Sequence, residues 1–558
     1  MSQPPFGQQP PTPGPGQPPP PPGPGQPPPP GYGPAHGQQP APPAGYGQPG
    51  GQYQQGYAQQ GYQPGHPQQP GQWGQAPVQP PAPKSTKALK WGAFGVAGVV
   101  ALGVVGGGAV FAYSKLNGGG AQPEEALPAT SVAFAKIDLD PSADQKVDAF
   151  RFARKFPGMR DSLEGVDENG DLRKEIFDAI KEDGGLEGVD YAQDVEPWLG
   201  QRFGVALLPA ADGGTEPEVV VALASTDQDA AKEGLSKVTN GEGGYCSVQA
   251  DFAICGEEQS VVNKAVNDAA GANLADSDTF RQDMDDLGED GMMAGWMDAS
   301  RVSELGLSTG TVQADQQGRI AAAVRFDGPT LEVAGRVNGL PAGSVPSGEG
   351  TMVGDLPADT LGVFAVTGLD ESLRTAWPEL DKNAKSALGD DWQEGLDSFT
   401  NETGVSVPDD IAKAVGSDTA ITVGASADEP KVALVTNGDR GIIDKLTGAV
   451  DSGGTSGAPQ ITVKDAGDNR TVVATPAGYA DEVAHGSGLG DSDAFKDAVP
   501  EADDASSVLY VDISKAVELF GDELDDEERA NIEPLSALGF SMTGEDDHAE
   551  FALRLTTK

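Results

Sequence analysis

Hydrophobic and polar positions divide the chain into three regimes. Residues 1–83 show no apolar periodicity, and residues 91–113 form one unbroken uncharged run. From residue 127 onward, short segments of alternating polarity are interleaved with segments of helical spacing. This third regime opens with a strand over 131–138 and a charge-rich helical stretch over about 142–183. RFGVALLP at 202–209 and EVVVALAS at 218–225 read as a hairpin turning at Gly213-Gly214. DQDAAKEGLSKV then puts Ala231, Leu235 and Val238 on one helical face, behind an Asp227 or Asp229 N-cap. Short strands follow at about 244–255, helices at 258–269 and 279–287, and a strand at 292–298. A hairpin of RIAAAVRF and LEVAGRVN turns at Asp327-Gly328, and LSALGFSMT with AEFALRLT repeats it at the far end. There Phe551, Leu553 and Leu555 alternate with Glu550, Ala552 and Arg554. That alternation predicts an antiparallel sheet with one wet face and helices on one side.

Whole phrases also recur. LPAT at 127–130 returns as LPADT at 356–360, and EPEVVVALASTDQDAAKEGLSKV at 216–238 as EPKVALVTNGDRGIIDKLTGAV at 429–450. ADSDTF at 275–280 returns as GDSDAF at 490–495, and GWMDASRVSEL at 295–305 as LYVDISKAVEL at 509–519. The last three offsets run from 213 to 215 and the first is 229, all in the same order, as a gene duplication requires. The expected organisation is a tail over 1–83, a transmembrane helix with flanking lysines over 84–115, and a linker over 116–126. Two ectodomain repeats follow at 127–342 and 351–558, joined by a linker at 343–350. The expected fold class is α+β: a duplicated antiparallel sheet-plus-helix ectodomain, one transmembrane helix and a disordered N-terminal tail.

Composition sharpens the outer two regimes. Residues 1–83 contain no Asp, Glu, Lys or Arg, but hold 28 Pro, 17 Gly and 19 Gln. Proline runs favour polyproline II, and Tyr32, Tyr46, Tyr53, Tyr57 and Tyr62 lie in a Gln/Gly background typical of self-associating segments. Two readings stay open: a docking arm for a cytoplasmic proline-recognising partner, or an entropic spacer. The run from Trp91 to Tyr113 is 23 residues long, about 34 Å as a helix, which suits a bilayer core. Its position after ninety residues separates it from a cleaved signal peptide. Trp91 and Tyr113 stand where aromatic rings prefer the interface, and Lys90 and Lys115 flank them. With Lys84 and Lys87 added on the N-terminal side, the positive-inside rule puts the tail in the cytoplasm and the C-terminal bulk outside. Gly103 and Gly107 have the spacing for close helix approach, although glycine is common in membrane helices anyway.

Residues 116–558 carry all 85 Asp+Glu against 32 Lys+Arg, a net charge of −53. A nucleic-acid binder that neutralises phosphates needs a basic face, so that class is excluded, and an anionic lipid surface is a poor partner.

The proline-rich tail, single span and LPAxT-plus-strand opening occur together with the element Trp198-Leu-Gly-x-Arg202-x-Gly-Val-Ala206. In these features the chain resembles the domain of unknown function 3352 family of bacterial membrane proteins, over nearly all of 84–558. The DSDxF words match that family's recurring D-x-x-F element, whereas VGSDTAITV at 415–423 lacks the Trp and Arg. The resemblance implies a surface-exposed single-pass protein of the bacterial cell envelope. It brings no established activity and no functional residues.

Candidate chemistry is sparse. Cys246 and Cys255 flank a tight turn at Ala250-Asp251 that would set them opposite each other. A disulfide fits an extracytoplasmic site, and a pair of buried thiols is the alternative. Asp276 with Asp278, and Asp491 with Asp493, could hold a cation, but Ser277 and Ser492 fit helix N-caps, with Phe280 and Phe495 anchoring the first turn. Asp167-x-Asn169-x-Asp171 resembles a calcium loop with Leu172 where glycine belongs, and Pro141 interrupts the weaker Asp138-x-Asp140-x-Ser142-x-Asp144. Two cysteines nine residues apart with no nearby histidine make no zinc site, and no cofactor motif is evident. The expectation is a membrane-anchored, non-catalytic module that binds an envelope ligand or partner. A carboxylate-dependent hydrolase in a cleft between the repeats is the alternative.

Overall fold

The structure, a computed structural model, describes residues 120–558 except 163–170, 183–185, 187, 211–216, 240–243, 305–317, 341–349, 428, 453–459 and 546. The tail and the apolar run, with Lys90, Trp91, Tyr113 and Lys115, lie outside the described residues. Among the described residues no helix is long and apolar enough to cross a membrane.

The fold is α+β, built on one large antiparallel sheet. Its chain order opens with β1 (Ala133–Asp138), then α1 (Ala143–Ala153), α2 (Pro157–Ser162) and α3 (Leu172–Glu182). Next come β2 (Leu199–Leu208), β3 (Glu218–Ser225), α4 (Gln228–Val238), β4 (Tyr245–Val248) and β5 (Phe252–Gly256). Helices α5 (Gln259–Gly271) and α6 (Asp278–Leu287) lead to β6 (Met293–Asp298), α7 (Ala299–Glu304), β7 (Arg319–Asp327) and β8 (Thr330–Asn338). The later part runs β9 (Thr360–Thr367), α8 (Leu369–Leu388), α9 (Asp390–Thr403), α10 (Asp409–Val415), β10 (Asp418–Gly424) and β11 (Lys431–Thr436). It continues with α11 (Arg440–Ser452), β12 (Thr462–Asp465), β13 (Thr471–Thr475), α12 (Ala477–His485) and α13 (Asp493–Ala498). It closes with β14 (Ser507–Asp512), α14 (Ile513–Phe520), α15 (Asp526–Ile532), β15 (Leu535–Gly544) and β16 (His548–Thr557).

Sixteen strands lie in the order β12-β13-β11-β10-β9-β14-β15-β16-β8-β7-β6-β1-β2-β3-β5-β4. Read inward from either end, the two runs of eight follow the same succession and meet at the antiparallel pair β8·β16. The recurring phrases occupy matching places: β3 with α4 answers β11 with α11, and β6 with α7 answers β14 with α14. The DSDxF phrase opens α6 and α13. Ser277 accepts the Phe280 N–H at 3.4 Å, whereas Ser492 holds the N-cap position without a side-chain capping bond. Both phenylalanines are buried edge-on against an aromatic of the following strand, Phe280 on Trp296 at 5.7 Å and Phe495 on Tyr510 at 5.1 Å. Trp and Tyr each carry a polar tip that burial obliges to pair. Asp283 accepts the indole N–H of Trp296 and Asp512 accepts the Tyr510 hydroxyl.

Helices pack on both faces of the sheet, not on one. The reason lies in a single register row that crosses every strand. From β12 to β16 it runs Val463, Val473, Leu434, Ile421, Phe364, Leu509, Phe540 and Leu553. From β8 to β4 it continues Val333, Val324, Met293, Ile137, Phe203, Leu223, Ala253 and Val248. All sixteen side chains are apolar, yet the reverse face also presents apolar residues such as Ala365, Ala420, Val508, Phe134 and Ile254. A sheet apolar on both sides needs two covers. On the reverse face α5 and α6 seal one part and α12 and α13 another. On the row's own face, α3 and α4 cover β2 to β5, α1 and α2 cover the middle, and α9 to α11 cover β12 and β13.

Candidate functional site

The junction of the two runs gathers four charged side chains on one face of the sheet. Strand β8 carries Glu332-Val-Ala334-Gly-Arg336, and β16 carries Glu550-Phe-Ala552-Leu-Arg554. In the antiparallel register Ala334 faces Ala552, Glu332 faces Arg554 and Arg336 faces Glu550. Alternate residues share a face, so all four charges emerge on the side of α6 and α13. Arg554 donates to Glu332 at 2.5 Å and to Asp327 at 2.8 Å, and Arg325 of β7 donates to the other Glu332 oxygen at 2.5 Å. Arg336 pairs with Glu550.

These charges and the two alanines floor a groove of about 190 Å³. Its sides are Asp286 and Leu287 at the end of α6, Pro500 and Glu501 beyond α13, and Ser541 and Thr543 of β15. The sequence alternation made Glu550, Ala552 and Arg554 a wet face. The structure instead buries Glu332 and leaves Arg554 nearly so. The missed signal was the E-x-A-x-R phrase, present once in each of the two paired strands.

From the groove a polar chain runs into the core. Arg336 donates to Asn338, which donates to Asp283, and Asp283 also accepts Arg319 at 2.7 and 3.1 Å. Hydrogen bonding to Asp283 leads the causes that raise the Arg319 pKa. Each groove arginine thus holds a carboxylate, an arrangement suited to positioning and polar recognition. Elsewhere Lys136 is buried between Glu124 and Asp290. Burial works to lower its pKa, but the two carboxylates outweigh it and hold the ammonium above the ordinary lysine value.

Cys246 and Cys255 are joined by a disulfide, opposite each other in the β4·β5 register with Cα atoms 4.1 Å apart. Changing both to serine should lower stability by about 2–3 kcal/mol, because the loop they close is short. Denaturant melts of wild type with and without reductant, beside the double variant, read this directly. Equal midpoints for all three would show that the bridge adds nothing.

Most of the acidic candidates are engaged locally, and of the second DSDxF pair Asp493 sits in the first turn of α13 just after the Ser492 N-cap position. Asp276 accepts the Asn273 N–H, Asp278 pairs with Arg281, Asp138 with Arg202, and Asp140 with Lys146, while Ser142 caps α1. Residues 167–170 of the calcium-like loop lie outside the described residues. Burial works to raise the Asp171 pKa, but hydrogen bonds from Arg173 and Tyr191 outweigh it and hold the carboxyl low. Among the described residues no group of His, Cys, Asp and Glu is placed to hold a metal ion. Gly306-Leu-Ser308-Thr-Gly310 has the spacing of a nucleophile elbow and lies outside the described residues. It follows a helix and precedes a strand, the reverse of the elbow's context.

The Trp198–Ala206 element makes structural sense at the start of β2. Trp198 is buried and donates to the Asp194 carbonyl at 2.7 Å. A Cβ at Gly204 would come within 2.4 Å of Pro123, so only glycine lets that segment cross the strand. This element lies within residues 94–245, which match the model of a family described as Protein of unknown function (DUF3352). The match supports the resemblance over a shorter stretch than the 84–558 read from the motifs. No curated protein and no solved structure matches the chain.

Proposed function

We propose that the chain is a single-pass membrane protein that displays a duplicated, non-catalytic binding module outside the cell. Two repeats, 127–342 and 351–558, would meet at β8·β16, with the 91–113 span as anchor and the proline-rich tail in the cytoplasm. The uncharged run, the lysine bias and the acidic remainder favour that topology. The observation that carries the binding reading is the groove, where every arginine is already matched by a carboxylate on rigid strands. Such a floor can exchange one of its own partners for a polar ligand group.

Two measurements test the reading. Protease added to intact cells should remove the acidic region and spare the tail, and protection of the acidic region would overturn the topology. Soluble envelope fragments should raise the Tm of the full-length protein, Arg336→Ala should abolish that rise, and the ligand should be recovered intact. Turnover of the ligand would favour the hydrolase instead.

A further inference from the structure

The apolar row is covered along most of its length, but not on β9, β10 and β11. Phe364 is 46% exposed, Ile421 50%, Val423 38% and Val432 40%. They are neighbours: Ile421 pairs with Phe364, and Val423 with Val432. Single exposed hydrophobics need no explanation, whereas a contiguous patch on interior strands marks an interaction surface. On the same face of the other run, Phe203 of β2 and Leu223 of β3 are packed beneath α3 and α4.

A second, partly exposed apolar element springs from the same strands. Helices α8 and α9 are inserted between β9 and β10, and neither has a buried residue. Helix α8 nevertheless carries a stripe at helical spacing, Leu369, Leu373, Trp377, Leu380, Ala384 and Leu388. Its Leu380 and Leu388 are exposed, and Trp377 meets Trp392 of α9 at 6.2 Å.

Charge selects among occupants. Helix α9 has five carboxylates and no Lys or Arg. Helices that lie in a membrane interface are rich in Lys and Arg on their polar face, so a lipid surface fits poorly. A second copy would bring together two bodies of net charge −53. The longer undescribed internal stretches, 163–170, 305–317, 341–349 and 453–459, are mostly Gly, polar and acidic residues, with too few large apolar side chains to cover the strip. We propose that the β9–β11 strip and the α8–α9 hairpin form a docking surface for a cationic amphipathic helix of a partner protein. The helix lays its apolar face on the strip and its Lys/Arg flank against α9. The proposal rests on the reading of the chain as a binding module. It places the protein partner on the face opposite the groove.

The test uses the full-length chain in phosphatidylcholine nanodiscs, with empty discs subtracted. The probe is a labelled 18-residue Leu/Lys amphipathic helix, compared with a scrambled peptide of the same composition. The amphipathic peptide should bind at least tenfold tighter than the scrambled one. Phe364→Thr with Ile421→Thr should remove that advantage with Tm unchanged, since both side chains are exposed and threonine suits a strand. Leu380→Gln with Leu388→Gln, on the helix alone, should weaken binding independently. Arg336→Ala, which strikes the groove, should leave peptide binding unchanged. Equal affinity for the two peptides means diffuse charge alone, and overturns the proposal. So does indifference to both double variants, cross-linking of Ile421→Cys to a second copy, or binding of the strip to phosphatidylcholine vesicles. If peptide docking fails while envelope fragments still raise the Tm, only this inference falls; if the fragments also fail, the binding-module reading falls with it.

Discussion

Replacing Asp283 with alanine should destabilise the protein by about 3–5 kcal/mol, the range for stranding a buried charge partner. Asp283 is only 1% exposed, on the inner face of α6 between Phe280 and Leu287. Its two oxygens accept from the indole N–H of Trp296, two guanidinium nitrogens of Arg319 and the amide of Asn338. Alanine would leave an indole N–H and an amide buried without a partner, besides uncovering the guanidinium. Asparagine keeps the shape and one acceptor oxygen, so Asp283→Asn should cost about half as much. Urea unfolding followed by tryptophan fluorescence reads both variants, since Trp296 reports on the site itself. An alanine variant within 1 kcal/mol of wild type, a margin typical of surface changes, would mean that the network is dispensable.

The second large effect is expected at the junction. Glu332→Ala should cost about 3 kcal/mol, because two arginines share that carboxylate and both lose it. Its consequence for cooperativity is more telling than its size. Strands β8 and β16 are the strand-to-strand contact between the two runs of eight, beside a small cluster in which Phe152 and Phe326 meet Leu535 and Leu555, and Phe551 lies across Gly335 there. Weakening this one pair lowers the coupling between two bodies that each keep their own core, clusters on β9–β15 and on β1–β7. Calorimetry of Glu332→Ala should therefore resolve two transitions where the wild type shows one. Glu332→Gln, which retains an acceptor, should stay closer to a single transition. One sharp transition in the alanine variant would show that the coupling does not depend on this carboxylate.

Local features were legible in the sequence wherever short-range chemistry decides them. The Ser277 cap, the Phe280 anchor and the facing cysteines follow from a few adjacent residues, and the hairpin expected to turn at Asp327-Gly328 turns one residue later, at Gly328-Pro329, because Asp327 still pairs with Thr330. Long-range features were not. Val205-Ala206-Leu207-Leu208 and Val220-Val221-Ala222-Leu223 are apolar at successive positions, which marks strands covered on both faces, yet the clean alternation of β16 points to one covered face for the whole sheet. Hence the expectation of helices on one side only. The groove failed for a different reason. Glu550 and Arg554 look solvated within their own strand, and only pairing with a strand more than two hundred residues away brings Glu332 and Arg336 to meet them. Periodicity reports the face of a residue, not the identity of its cross-strand neighbour.

The position of β16 also bears on how the molecule is made. It is the last strand in chain order, yet it sits eighth from one end of the sheet rather than at an edge. During synthesis, β8 exists for more than two hundred residues of chain growth before its mate emerges, and such late, distant pairing is slow. For that interval β8 is an unpaired edge, open to the β16 of a neighbouring molecule and so to exchanged dimers. Charged side chains on an edge discourage such strangers. Glu332 and Arg336 thus guard the nascent strand before they ever clasp their partners.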